Sequence, residues 1–179
     1  GGRPPVRHDL RPGAPDISAF PRRDWLTATR TVLASAEHAV FGYTGGLGQP
    51  ALRTELAGYL GRARGVLTEP GRLMVCGGFG HGLALLCAVL RDRGIDTLAV
   101  EDPCLPGYPA AARAAGLRTV PVPVDEYGLR VDVLAGTGAR AVLTTPAHQY
   151  PTGVALAPER RTALVDWAVR RDGFVIEDD

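Results

Sequence analysis

The chain has 179 residues, 45% of them apolar and 22% charged, which is the composition of a globular protein with material for one core and hardly two. Disordered, collagenous and disulfide-scaffold classes are excluded. Formal net charge is +1, and all 20 basic residues are Arg, so these residues supply no P-loop, Schiff-base lysine or amine general base. The arginines are spread from Arg3 to Arg171, and without a local cationic excess they argue against a dedicated nucleic-acid surface.

No apolar run approaches bilayer length and no apolar signal segment follows the first residues, so a cytoplasmic location is the expectation. Cys76, Cys87 and Cys104 lack metal-ligand spacing and are read as small core residues. The chain starts with Gly1, has Met74 as its one methionine and stops within an apolar run; a fragment cut at both ends is expected.

Residues 1–23, rich in Pro and Arg, read as an N-terminal arm, and residues 24–179 as one domain. From Asp24, a candidate N-cap, Trp25, Thr29, Val32, Leu33 and Ala36 follow helical spacing. A flexible Tyr43–Gly48 loop leads to a helix that begins at Pro50 and ends near Gly65. Strand and helix then alternate. The spacing predicts a strand at Leu73–Cys76, a glycine turn at Gly77–Gly82, a helix over Leu83–Leu90, a strand at Thr97–Val100 and a helix from Tyr108 to Ala115. A strand over Arg118–Val124 follows, expected to lie at an edge or to be poorly paired because Pro121 and Pro123 each remove a ladder donor. A short helix near Val131–Leu134, a strand at Ala141–Thr144, a helix opened by Pro158 and stopped by Gly173, and a final apolar strand complete the pattern. Short apolar strands separated by helices predict an α/β fold: three layers, a mainly parallel sheet with helices on both faces. Trp25 and Trp167 fit core stripes, while Arg22–Arg23 and Arg160–Arg161 read as solvated faces.

Ligands of such sheets bind at the carboxyl ends of the strands. The Gly77–Gly82 turn at a helix N-terminus suits a phosphate, and Glu101, about twenty residues on, stands where a ribose-binding acid of a dinucleotide fold would. Gly78, Gly80 and Gly82 nevertheless give G-x-G-x-G, with Leu83 where the dinucleotide fingerprint needs glycine. His81 and His148 read as loop hydrogen-bonders, since no nucleophile stands near them in a recognisable pattern. Thr144 and Thr145 read as partners for strand-end backbone, and Asp178 either as a helix cap, a solvated acid or a site carboxylate.

Two further loops are more specific: Val100-Glu-Asp-Pro-Cys-Leu-Pro-Gly-Tyr-Pro109 and Thr144-Thr-Pro-Ala-His-Gln-Tyr-Pro-Thr-Gly153. With Tyr43–Arg53 and the terminal Val175-Ile-Glu-Asp-Asp179, the chain from about His8 onward resembles the pyridoxal-phosphate domain of MocR-type GntR-family transcription regulators, which share the fold type I, class I/II aminotransferase architecture. The resemblance implies pyridoxal 5'-phosphate as cofactor, with Gly78, Phe79 and Gly80 at its phosphate and Asp178 at its pyridine nitrogen. It places Leu105 where an aromatic residue usually stacks on the ring, Tyr150 where aminotransferases carry an Asn, and Tyr43 at the phosphate of a neighbouring subunit in a homodimer. It further implies a small amine or amino-acid effector, DNA contact only through a winged helix preceding these residues, no membrane, and a Schiff-base lysine and substrate-carboxylate arginine beyond Asp179. A chain without that lysine is expected to be inactive alone. A fragment of a true class I/II aminotransferase is the alternative, and a nucleotide-binding α/β domain a third reading.

Overall fold

The computed structural model describes residues 16–179; the first fifteen residues of the expected arm lie outside them. Two compact units divide between Leu73 and Met74.

The first unit is helical. Asp16 accepts from the Ser18 backbone N–H at 2.9 Å and starts a 3-10 turn at Ile17–Ala19. Helix α1 (Arg22–Ser35) starts two residues ahead of the expected cap, because the Pro21 carbonyl already accepts from Trp25 N–H; Asp24 therefore sits in the first turn. Trp25 is 63% exposed, and α1 has no buried residue, so the expected core stripe is absent from this helix. A 3-10 turn at His38–Phe41 precedes α2 (Pro50–Arg64), which opens with Pro at its first position and closes at Gly65 in the left-handed conformation, φ 66°. Arg53 donates to the Gly48 carbonyl at 3.2 Å and the Pro70 carbonyl at 2.7 Å, tying both flanks of α2 together.

The second unit carries a five-stranded sheet of β1 (Thr97–Asp102), β2 (Arg118–Asp125), β3 (Gly128–Leu129), β4 (Ala141–Thr144) and β5 (Phe174–Glu177), in the order β3-β2-β1-β4-β5. All neighbours run parallel except the short β2–β3 hairpin. Helices α3 (Phe79–Asp92), α4 (Gly107–Ala114), α5 (Val131–Gly136) and α6 (Pro158–Arg171) cover it.

Side-chain alternation along the strands divides the core between two faces. Leu98, Val100, Ala141, Leu143 and Ile176 pack against α3 and α4 through Leu83, Cys87, Tyr108 and Ala112. Ala99, Val122 and Val142 pack on the other side against Leu134 of α5 and Leu164 and Trp167 of α6. Burying such side chains contributes about 1.5–3 kcal/mol each before the entropy of ordering them is subtracted. The expected three-layer architecture is present.

Three expectations need correction. Leu73–Cys76 forms no strand: the sheet's order contains no neighbour for it, and Met74, Val75 and Cys76 are exposed. Of the three cysteines only Cys87 is buried. Arg160, expected on a solvated face, is half-buried, and Arg161, though exposed as expected, is also tied to backbone. Arg160 clasps Asp125 with two N–H groups at 2.5 and 2.7 Å and donates to the Gly128 carbonyl, while Arg161 holds the carbonyls of Leu156 and Pro146 at 3.0 and 2.8 Å.

Strand β3 lies outside β2, so β2 is not the edge strand of the sheet, but it is poorly paired on its outer side, as its prolines require. Pro123 C=O accepts from Arg130 N–H beyond the sheet's β1 side, so its missing donor, and that of Pro121 two residues earlier, face away from β1. Only Val124 and Asp125 of β2 pair with β3. No helix among the described residues is long and apolar enough to cross a membrane.

Candidate functional site

Three parallel strands, β1, β4 and β5, end on one side of the sheet at Asp102, Thr144 and Glu177. Beside them begins α3. Its N-cap, Gly78, has φ 96°, a conformation that favours glycine, and the first intrahelical bond runs from Gly82 N–H to Gly78 C=O. The N–H groups of Phe79, Gly80 and His81 precede that bond, so the helix presents first-turn donors and the positive end of its dipole. A Cβ at Gly80 would meet no atom within 4 Å, so the helix side is open at this residue. His81 folds back and accepts from Gly77 N–H through Nδ1 at 3.0 Å, holding the turn; it is the loop hydrogen-bonder expected. His148 is exposed.

Asp178 follows β5, its N–H donating to the Thr144 carbonyl at 3.1 Å, which continues the β4–β5 pairing one residue past the strand. Alternation puts its side chain on the α3–α4 side with Ile176. There the Tyr108 hydroxyl donates to Asp178 Oδ2. Tyr108 is buried at the start of α4 and meets the Phe79 ring edge-on, with centroids 5.5 Å apart and planes at 63°. Burial first, then the hydrogen bond to Asp178 and its charge, push the Tyr108 phenol well above the usual range, so it stays a donor. Phe79 and Asp178 are thus joined by one side chain that the sequence reading assigned only to a helix start.

Leu105, 37% exposed, lies in the segment entering α4, and its carbonyl accepts from Tyr108 N–H at 3.0 Å. Tyr150 is half-buried; its N–H donates to Thr145 Oγ1 at 3.4 Å and its carbonyl accepts from Gln149 Nε2 at 2.7 Å. Tyr43 belongs to the first unit and is fully exposed.

Between β1 and β4 lies a buried polar knot. The Glu101 carboxyl accepts from Thr144 Oγ1 at 2.5 Å, Thr145 N–H at 3.2 Å, Thr145 Oγ1 at 2.7 Å and Gln149 Nε2 at 3.1 Å. Gln149 also donates to Pro103 C=O and accepts from the Thr152 hydroxyl at 2.6 Å. Glu101 is therefore enclosed by protein donors and is not presented as a ribose-binding acid, and the two threonines serve a carboxyl group instead of only strand-end backbone. This network pins the 145–153 loop to the end of β1. Its signal in the sequence was an acid ending one strand and a Thr-Thr pair ending the next.

The family model for aminotransferase class I and II matches residues 13–179. The chain belongs to the class I and II aminotransferase family. Among curated relatives of this aminotransferase-family chain, the HTH-type pyridoxine biosynthesis transcriptional regulator PdxR of Corynebacterium glutamicum is 37% identical over 98% of the chain and 37% of its own length. The probable rhizopine catabolism regulatory protein MocR of Rhizobium meliloti is 31% identical over 98% of the chain and 35% of its own length. The chain thus spans little more than a third of these relatives. Among solved structures, an archaeal alanine:glyoxylate aminotransferase superposes with a TM-score of 0.78 at 31% identity, over 92% of this chain and 42% of that one. The α-aminoadipate aminotransferase LysN of Thermus thermophilus, complexed with N-(5'-phosphopyridoxyl)-L-leucine, gives 0.78 at 25% identity, over 93% of this chain and 42% of its own.

The arrangement in this aminotransferase-family chain suits a ligand that is anionic at one end and carries a basic ring nitrogen at the other. First-turn helix donors are suited to an anion, and the Asp178 carboxyl, held through backbone and side chain, is suited to a protonated nitrogen.

Proposed function

We propose that the chain is the N-terminal part of a pyridoxal 5'-phosphate-binding, effector-sensing domain of a transcription regulator. The observation that carries the reading is the joint placement of the α3 N-terminus and Asp178 on one face of the sheet, linked through Tyr108. The regulators matched over 98% of the chain favour this reading over a catalytic one.

In this reading the first-turn N–H groups at Gly78, Phe79 and Gly80 bind the phosphate. Asp178 pairs with the pyridine nitrogen and holds a proton there. Leu105 covers the ring by apolar contact in place of an aromatic platform, Tyr150 borders the ring from the loop held by Gln149, and Tyr43 reaches the phosphate of a second copy in a homodimer. When bound, the cofactor supplies an electron-accepting ring and a carbonyl reactive toward amines. A small amine or amino acid is the effector, and DNA contact belongs to a winged helix outside these residues. A class I/II aminotransferase is the second reading, favoured by the structural likeness to the alanine:glyoxylate enzyme.

Calorimetric titration of the chain with pyridoxamine 5'-phosphate, which needs no lysine, tests the cofactor assignment. Saturable binding that Asp178→Asn weakens by about 1–3 kcal/mol is expected; equal affinity in both proteins would remove Asp178 from the site. Mobility-shift assays on the intact gene product separate the two readings, since only a regulator retains operator DNA.

A further inference from the structure

We propose that Tyr108 is a positioning residue that fixes which carboxyl oxygen of Asp178 meets the ring nitrogen of the bound cofactor. The inference rests on the cofactor reading above and deepens it.

An aspartate at a strand end has two free side-chain torsions, and either oxygen can face a ligand. Here the backbone of Asp178 is pinned by its N–H to Thr144 C=O at 3.1 Å, and Tyr108 O–H claims Oδ2. Among the described residues the hydrogen bond to this carboxyl is on Oδ2, so Oδ1 can take a further donor. Tyr108 can impose this choice because it is itself held: its side chain is buried, its N–H is bonded to Leu105 C=O at 3.0 Å, and its ring abuts Phe79. Burial and the Asp178 carboxylate raise the phenol's pKa, which favours the protonated, donating form. Phe79 is also the first residue of α3. One rigid aromatic pair therefore sets the carboxyl at one end of the site relative to the helix donors at the other, and a protonated ring nitrogen finds an acceptor already oriented.

The test compares two probes: pyridoxamine 5'-phosphate and its 1-deaza analogue, in which a carbon replaces the ring nitrogen. Both are titrated into wild type, Tyr108→Phe and Tyr108→Met, the second keeping a hydroxyl-free side chain of flexible shape if the first fails to fold; far-UV circular dichroism and melting check each variant. For a lost charge-assisted hydrogen bond that orders the carboxyl, pyridoxamine phosphate affinity falls about tenfold while affinity for the deaza analogue changes by less than about twofold. In an Asp178→Asn background the Tyr108 penalty should shrink toward nothing. Equal losses for both probes would mean that Tyr108 only supports the fold, and unchanged or tighter pyridoxamine phosphate binding would mean that its hydroxyl competes for Asp178; either overturns the proposal. Wild type that binds neither probe would instead bring down the cofactor reading itself, and the proposal with it.

Discussion

The Thr144 hydroxyl donates to Glu101 Oε1 at 2.5 Å, closing the gap between β1 and β4 where both strands leave the sheet. Glu101 is 4% exposed and Thr144 1%, so this bond and its three companions are made out of water, where a donor stripped of its acceptor has nowhere else to turn.

Glu101→Ala should therefore cost more than an ordinary truncation. It removes the acceptor of the Thr144 and Thr145 hydroxyls, the Thr145 backbone N–H and the Gln149 side-chain amide, and a loss of about 2–4 kcal/mol in urea unfolding is expected. Glu101→Gln, which retains one carbonyl acceptor, should fall between wild type and Ala. An Ala variant within about 0.5 kcal/mol of wild type would show that water replaces the carboxyl.

Gly128 gives a second stability test. Its φ is 91°, and a Cβ there would lie 2.9 Å from both Cα and Cδ1 of Leu156. Gly128→Ala combines unfavourable backbone conformation with a clash against a buried neighbour, and a loss of roughly 2 kcal/mol or more is expected from thermal or urea unfolding. Gly138→Ala, at φ 76° with no atom within 4 Å, should cost only the conformational part.

Acid titration should expose the Arg130–Asp132 pair. Two guanidinium bonds at 2.8 and 2.5 Å hold the Asp132 carboxyl down to about 2, from an ordinary value of 3.8. A folded-state pKa below the unfolded one contributes stability above the unfolded value, and that contribution is lost as pH falls from about 3.8 through about 2. Arg130→Gln should move the Asp132 midpoint, read from its side-chain carboxyl resonance, upward toward 3.8 and remove its share of the acid dependence. A midpoint that stays put would assign the shift to something other than the pair.

Thiol labelling should rank the cysteines. Cys76 is exposed, whereas burial raises the thiol pKa of Cys87 and, with help from the charges of Glu101 and Asp102, of Cys104. A disulfide reagent at neutral pH is expected to modify Cys76 first, Cys104 more slowly, and Cys87 only on unfolding. Rapid modification of Cys87 in the native protein would contradict the packing of α3 against the sheet.

Much of this fold was legible where local chemistry and tertiary packing agree. Pro50 and Gly65 bracket α2 to the residue, Pro158 opens α6, and the apolar runs at Thr97, Ala141 and Phe174 become β1, β4 and β5. Leu73–Cys76 misled because an apolar run becomes a strand only when another strand lies beside it. Trp25 misled for a related reason: helical spacing reveals a stripe but not what covers it. At the candidate site, the roles of Gly78, Phe79, Gly80 and Asp178 were implied by the family resemblance, which rests on motifs contained within single loops. Tyr108 could not, since its role arises from a partner 70 residues away. Arg160 was misread likewise, its partner Asp125 lying 35 residues off.

The outward-facing prolines of β2 make the sheet unequal as a template. On that flank Pro121 presents a carbonyl with no amide beside it, while the Pro123 carbonyl is already taken by Arg130 N–H and the short β3 hairpin occupies the residues that follow, so an approaching strand would find an incomplete ladder. The β5 flank carries Val175 and Glu177, whose backbone alternation turns full amide-and-carbonyl pairs outward. Among the described residues, addition of a strand to this sheet is thereby biased to the β5 side, and a proline placed at Val175 would remove one of the amides presented there.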